Sequence, residues 1–148
     1  MAAKLIDIAE AVKDAINAAT FTTAITASRS YGPADITTTA EALTVRCDVQ
    51  PASASPAIIT RGRDQSCEFR VLVGIRRRVP IIAGAISATH CDAMILLFQE
   101  VIQHLAETAT FADGSLEGIE IDQPYQADTF ERAAVFYGSV ELIIHGSF

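Results

Sequence analysis

Residues 67–79, CEFRVLVGIRRRV, constrain the fold more than any other part of the chain. Apolar and polar residues alternate along this segment, a period of two that is typical of a β-strand with one buried face. The segment ends in three consecutive arginines, although the whole chain has a formal net charge of -7. The apolar face is Cys67, Phe69, Val71, Val73 and Ile75, and the opposite face is Glu68, Arg70, Leu72, Gly74 and Arg76. We therefore expect a half-buried strand whose charged end contacts another group.

Periodic segments before and after this strand predict the other elements. Apolar residues recur at three- and four-residue steps over residues 3–18 and 89–107, which predicts two helices. Thr89 and Asp92 resemble a capping box at the start of the second helix. Extended segments are expected at residues 20–27, 35–49, 116–122 and 134–145, with turns at 31–33 and 113–114. In the last two segments Ile119, Ile121, Phe136, Val140, Leu142 and Ile144 are expected to face the core.

Residues 50–64 interrupt this pattern. They contain two prolines, a glycine and many small residues, so we expect an irregular segment that joins two antiparallel strands and projects from the sheet. The order of elements predicts a single α+β domain over residues 1–148. In this domain a small antiparallel or mixed β-sheet packs against two main helices, beside a long projecting hairpin loop.

Charge is unevenly distributed along the chain. Residues 44–78 carry seven basic and three acidic side chains, whereas residues 79–148 carry one basic and ten acidic side chains. Opposite charges in two parts of one chain suit electrostatic contacts between neighbouring copies. The net charge of -7 argues against tight binding of nucleic acid, because such binding requires a basic excess on the domain.

No motif for catalysis, metal binding or cofactor binding is recognisable in the sequence. His90, Cys91 and Asp92 are adjacent, but three successive residues of a helix point in different directions. We therefore expect no enzyme activity and no catalytic, metal or cofactor residues, with a small enzyme or ligand-binding domain around residues 90–92 as the less favoured alternative. The three cysteines form no CxxC pair and are expected to be small buried apolar residues: Cys47, Cys67 and Cys91.

Two other histidines and a pair of carboxylates have simple interpretations. His104 and His145 lie on the polar sides of their elements and are expected to be solvated. Glu120 and Asp122 are expected to form an exposed acidic strand face rather than a cation site. No apolar run reaches the roughly 18 residues of a membrane span, so we expect no membrane partner.

Six arginines are the candidate interaction residues. They lie in the predicted loop and in the strand that follows it, where a hairpin would collect them at one edge: Arg61, Arg63, Arg70, Arg76, Arg77 and Arg78. Three interpretations stay open: a solvated strand end that prevents edge-to-edge aggregation, a contact with carboxylates of another protein, or direct binding of nucleic acid. The acidic second half of the chain favours another copy of the same protein, and the lack of interleaved aromatic residues disfavours nucleic acid.

Several segments in a particular order carry a family resemblance. They are LIDIAEAVKDAINAATF at the start, RSYGP at 29–33, LTVRCDVQP at 43–51, FRVLVGIRRRV at 69–79, MILLFQEVIQHL at 94–105 and FYGSVELII at 136–144. Together they resemble the tail-completion proteins of long-tailed phages, the tail terminators, over nearly the full length of the chain. None of these segments is a catalytic signature, so the resemblance rests on their order and spacing.

The resemblance implies a structural virion protein that assembles in the host cytoplasm and ends up in the tail or neck. It implies a ring, commonly a homohexamer, which caps the head-proximal end of the tail tube and joins it to the head connector. Its partners would be other copies of itself, the major tail tube protein and the connector or neck proteins, and viral DNA would pass through the lumen without sequence-specific binding. A neck or head–tail joining protein, a stopper or adaptor of the same virion, is the alternative with the same architecture.

Overall fold

The computed structural model describes residues 3–31, 45–57, 66–79, 81–82, 84–123 and 135–147. Residues 32–44 and 58–65 lie outside the described residues. They include most of the predicted turn at 31–33, the first part of the predicted extended segment at 35–49, and the candidate residues Arg61 and Arg63.

The described chain alternates helices and strands in an order close to the predicted one. The elements are α1 (Lys4–Ala18), β1 (Ala27–Arg29), β2 (Arg46–Ala57), β3 (Ser66–Arg78), β4 (Ile81–Ile82), β5 (Ala85–Ile86), α2 (Ala88–Thr108), β6 (Thr110–Phe111), β7 (Gly114–Gln123) and β8 (Val135–Ser147). Six of the described strands form one sheet in the order β1-β2-β3-β8-β7-β6, and β4 and β5 form a separate hairpin. The sheet is mixed, because β1 runs parallel to β2 while the other neighbours are antiparallel. The predicted α+β class is confirmed.

The pairing of β3 with β8 forms the centre of the sheet. It extends without interruption from Ser66 opposite Ser147 to Arg78 opposite Val135. On one face of these two strands and of the start of β2, alternate apolar side chains are buried, as the alternation predicted. These buried residues are Cys47, Val49, Cys67, Phe69, Val71, Val73, Ile75, Phe136, Val140, Leu142 and Ile144. We call this the inner face of the sheet, and the opposite face the outer face.

Both helices pack on the inner face and complete a single core. The buried helical residues are Ile8, Ala9, Val12 and Ile16 in α1 and Met94, Leu97, Phe98, Val101 and Leu105 in α2. Asn17 fixes the end of α1 to β1, because its side-chain amide both donates to the carbonyl of Ala27 (3.1 Å) and accepts from its N–H (2.8 Å). Glu10 adds an ion pair of 2.6 Å with Arg29, and its bonds to Lys13 and Arg29 lower the pKa of the Glu10 carboxyl.

The segment after residue 49 differs from the prediction. Residues 50–57 were expected to be irregular, but β2 continues through Ala57 opposite Ser66. Pro51 fits this strand because its nitrogen is not needed for pairing. The carbonyl of Val49 points towards β1 and accepts a hydrogen bond from the N–H of Ser30 (2.9 Å). The nitrogen of Pro51, two residues later, points to the same side, where β1 has already ended. A bulge between Pro51 and Ser53 absorbs one extra residue. Pairing with β3 thus overrides the local composition.

Three other local predictions are wrong. Residues 20–26 form no strand, and pairing begins only at Ala27. The proposed capping box is not formed, because α2 begins at Ala88 after Ser87, which makes no side-chain cap. Ile121 does not face the core: it is 51% exposed, and the pairing of β7 with β8 shifts in register directly after it.

The link from α2 to β7 uses three non-glycine residues in the left-handed region. Ala109 ends α2 with φ 59° and donates to the carbonyl of Leu105 (3.3 Å), in the manner of a helix C-cap that glycine usually occupies. Ala112 (φ 48°) and Asp113 (φ 67°) form the two-residue turn between β6 and β7. The positive φ of both residues matches the type I′ turn that suits antiparallel strands.

Replacing Ala109 by glycine is expected to stabilise the protein. The left-handed conformation costs a residue with a Cβ about 1 kcal/mol, and glycine avoids this cost. Ala106→Gly is the matched control, because this exposed position is inside α2 and glycine there should destabilise by about 1 kcal/mol. Chemical denaturation of both variants should therefore give shifts of opposite sign, and a loss of stability for Ala109→Gly would contradict the assigned cap.

Candidate interaction surface

The outer face of the sheet carries most of the described charges of β3 and β8. Its side chains are partly exposed rather than buried. Along β3 and β8 they are Glu68, Arg70, Leu72, Arg76, Tyr137, Ser139, Glu141, Ile143 and His145. The alternation that buries the inner face therefore places charged groups of both signs in register on the other face.

Arg70 lies in the middle of the outer face among three carboxylates of its own chain. Its guanidinium is 2.9 Å from Glu68, 3.4 Å from Glu141 and 3.5 Å from Glu120. The hydrogen bond with Glu68 is the largest cause of a raised pKa of Arg70, and Glu141 adds to it. This guanidinium is thus already engaged within the chain.

Arg76 lies on the outer face, at the end of the sheet where β2 begins and β3 ends. Its Nε is 3.8 Å from Oδ2 of Asp48, and its guanidinium lies 4.6 Å from the centre of the Tyr137 ring. Asp48 is the one charged residue that is buried among the described residues, with 5% exposed. Gly74 gives Tyr137 its position, since a Cβ there would lie 3.1 Å from Cε2 of the ring. Charge attraction and ring stacking together orient Arg76 along the sheet.

Arg77 points the other way, onto the inner face. It follows Ile75 on that face and is opposite Phe136 in the register, and both of these residues are buried. The Nε of Arg77 is inaccessible to solvent and has no hydrogen-bond partner among the described residues. Arg78 follows as the last residue of β3, opposite Val135.

Of the candidate arginines, Arg70, Arg76 and Arg77 are therefore not collected at one edge of the described sheet. Strand β3 lies between β2 and β8 and is not an edge strand. Arg70 is in the middle of the strand, and Arg76 and Arg77 occupy opposite faces at its end. Arg76 is opposite Arg46 of β2 and Tyr137 of β8 in the register. The sequence analysis did not single out Arg46, Asp48 or Tyr137, and only strand pairing brings them together.

Two clefts lie beside these charges. A cleft of about 200 Å³ at the start of β2 is lined by Thr26, Ser28, Val45, Arg46, Cys47 and Asp48. A second cleft, of about 440 Å³ on the outer face, is lined by Leu72, Glu120, Ile121, Ser139 and Glu141. The first is next to the arginines at the end of the sheet, and the second is acidic.

The histidines that were considered for catalysis or metal binding make contacts within the fold. His90 Nδ1 is 2.7 Å from the hydroxyl of Ser87, one turn before it. His104 was expected to be solvated, which is wrong: its Nε2 is 3.0 Å from the carbonyl oxygen of Ala15 and its ring meets Phe21 edge-on. His145 is 2.7 Å from Glu117 across β7 and β8. Within the described residues no group of His, Cys, Asp and Glu is placed to hold a metal ion.

The cysteines match the predicted apolar role to different degrees. Cys47 and Cys67 are buried, and Cys91 is partly exposed. Burial raises the pKa of Cys47 to about 12 and also raises the pKa values of Cys67 and Cys91. A thiol is nucleophilic as the thiolate, so these shifts lower the nucleophilic fraction of all three groups near neutral pH.

Alkylation should distinguish the three thiols. With a pKa of about 12, about one Cys47 thiol in ten thousand is ionised near pH 8, and the thiol is also buried. We expect iodoacetamide to label Cys91 first in the native protein and to label Cys47 and Cys67 only after denaturation in guanidinium chloride. Peptide mass spectrometry reads the order, and native labelling of Cys47 as fast as a free cysteine would contradict the assigned burial.

Neither helix of the described chain combines the length and the apolar character that crossing a membrane requires.

Comparison with known proteins finds no relative. No protein-family model matches this chain, and no curated protein matches it.

Proposed function

We propose that this chain is a ring-forming structural protein of a phage tail, a tail terminator that caps the head-proximal end of the tail tube and joins it to the head connector. The proposal begins from the order of six sequence segments that resemble this family over nearly the whole chain. The resemblance implies a small antiparallel sheet packed on helices. The described chain has a mixed, mainly antiparallel sheet with two helices on its inner face.

The observation that carries the proposal is the two-signed outer face of this sheet. Guanidinium groups of Arg46 and Arg76 lie at one end of it, and carboxylates of Glu120 and Glu141 lie towards the edge at β7. A surface with separated charges can bind a copy of itself in one orientation, and like-charge contacts exclude the others. This is the property that a ring of identical subunits needs.

Charge also supports the proposed passage of DNA. A chain with a formal net charge of -7 repels the phosphate backbone on average. The basic side chains that the structure describes on the outer face are close to carboxylates, such as Arg70 beside Glu68 and Arg76 beside Asp48. A ring of such subunits would let duplex DNA pass without holding it.

The geometry around residues 90–92 does not favour the enzymatic alternative. Cys91 has a raised pKa, which suppresses the thiolate that a nucleophile requires. His90 is 2.7 Å from Ser87 at the start of α2. The chemistry of these residues is accounted for by helix packing and by the first turn of the helix.

Tube capping tests the proposed function directly. Adding the purified protein to polymerising major tail-tube protein of the same phage should stop elongation and leave short tubes with density at one end only, measured by negative-stain electron microscopy. The heat-denatured chain is the control. Tubes of unchanged length without end density would contradict the tail-terminator proposal, and binding to the isolated head connector but not to tubes would point to the neck alternative.

A further inference from the structure

Arg77 is a partly exposed residue at the end of β3, and its Nε has no hydrogen-bond partner in the described chain. Its side chain lies on the inner face beyond Ile75, among residues that are otherwise apolar, and its Nε is shielded from water without a hydrogen bond. A shielded N–H without a hydrogen bond is unfavourable, and a carboxylate is the group that satisfies the N–H groups of a guanidinium best. The position of Arg77 at the end of the core suits a carboxylate that comes from outside the chain.

Basic residues also lie on the opposite face of the sheet, at the same end as Arg77. Arg46 and Arg76 lie directly opposite each other at the same end of β2 and β3, and Asp48 is the described carboxylate beside them. We call Arg46, Asp48, Arg76 and Arg77 the basic end. Together these four residues have a formal charge of +2. Like charges opposite each other in a sheet are destabilising, so additional negative charge at this end is favourable.

The far side of the sheet has the opposite character. Glu117 and Glu120 on β7 have side chains that are 52% and 60% exposed, and Ile121 beside them is 51% exposed. The formal charge of Glu117 and Glu120 together is -2. Beyond the short pairing with β6, no described strand covers the outer edge of β7. We call this surface, Glu117, Glu120 and Ile121, the acidic edge.

We propose that the acidic edge of one copy of this chain binds the basic end of the next copy, with the carboxylates of Glu117 and Glu120 facing Arg77. This inference rests on the proposed ring and identifies the two surfaces that build it. The basic end belongs to β2 and β3 and the acidic edge to β7, on opposite sides of the sheet order. Two different surfaces on opposite sides give a head-to-tail contact, which closes into a ring when the rotation between copies allows it.

Another copy is a better partner for Arg77 than nucleic acid. The charges of the two surfaces, +2 and -2, balance within one interface, whereas a phosphate backbone would meet a chain of net charge -7. Ile121 adds an exposed apolar side chain next to the carboxylates, which is a common composition for the centre of a protein contact.

Charge reversal on each surface provides the test. Arg77→Glu and the double variant Glu117→Lys/Glu120→Lys should each stay monomeric, because each creates like charges across the contact. An equimolar mixture should assemble again, since every interface then joins either two native surfaces or two reversed ones. Native mass spectrometry should show oligomers in which the two variants alternate, built from 15.8 kDa chains.

Two further variants serve as controls, one for loss of folding and one for a non-specific effect of charge reversal. Arg77→Met keeps the aliphatic stem and should fold normally, by circular dichroism, while raising the concentration for half-assembly at least tenfold. Glu107→Lys makes the same type of reversal at an exposed position of α2 and should leave assembly unchanged.

Four results would overturn the inference. These are a wild-type chain that stays monomeric at its highest soluble concentration, reversed variants that assemble like the wild type, a mixture that stays monomeric although both variants are folded, and loss of duplex DNA binding in Arg77→Glu with unchanged assembly. A ring that forms through these surfaces but does not cap tubes would instead contradict the proposed function alone.

Discussion

The alternation of side chains along β3 is the constraint on which the rest of the structure depends. Because β3 pairs with β2 on one side and with β8 on the other, one register fixes the faces of three long strands at once. A slip by one residue would bury Glu68 and Arg70 and expose Phe69 and Val71, so burial of the inner face selects this register strongly. Both helices then have one apolar face against which to pack.

The same constraint determines where the charges go. Residues of even number in β3 reach the outer face, where Arg70 finds three carboxylates and Arg76 finds Asp48 and Tyr137. Arg77 has an odd number and therefore lies on the inner face, beyond Ile75. Two of the three consecutive arginines therefore lie on opposite faces at the end of β3, Arg76 beside Asp48 and Tyr137 and Arg77 beyond Ile75.

Much of this architecture could be predicted from the sequence, because periodicity reports burial. The bounds of the two helices were predicted to within a residue or two. The alternation also predicted which apolar side chains of β3 and β8 are buried. Features that depend on tertiary pairing could not be predicted: the parallel addition of β1, the extension of β2 past Pro51, and the contact of His104 with α1. Local composition at residues 50–57 indicates a loop, and only the neighbouring strand shows why a strand is more stable there.

The candidate surface was predictable only in part for the same reason. The arginines were visible as a cluster in sequence, but Asp48, Tyr137 and Glu141 come from three other positions in the chain and meet them through strand register alone. Gly74 gave no signal either, although it makes room for the Tyr137 ring. The parity of Arg77 relative to Ile75 was the one signal in the sequence that separated it from Arg76.

We propose that copies of this chain associate through opposite charges into a closed ring. The most direct measurement is the native mass of the wild-type protein as a function of ionic strength. Because such contacts are screened by salt, we predict one closed oligomer of fixed copy number at low salt, which dissociates to the 15.8 kDa monomer as salt is raised. A monomer at low salt, or an oligomer whose mass is independent of salt, would contradict it.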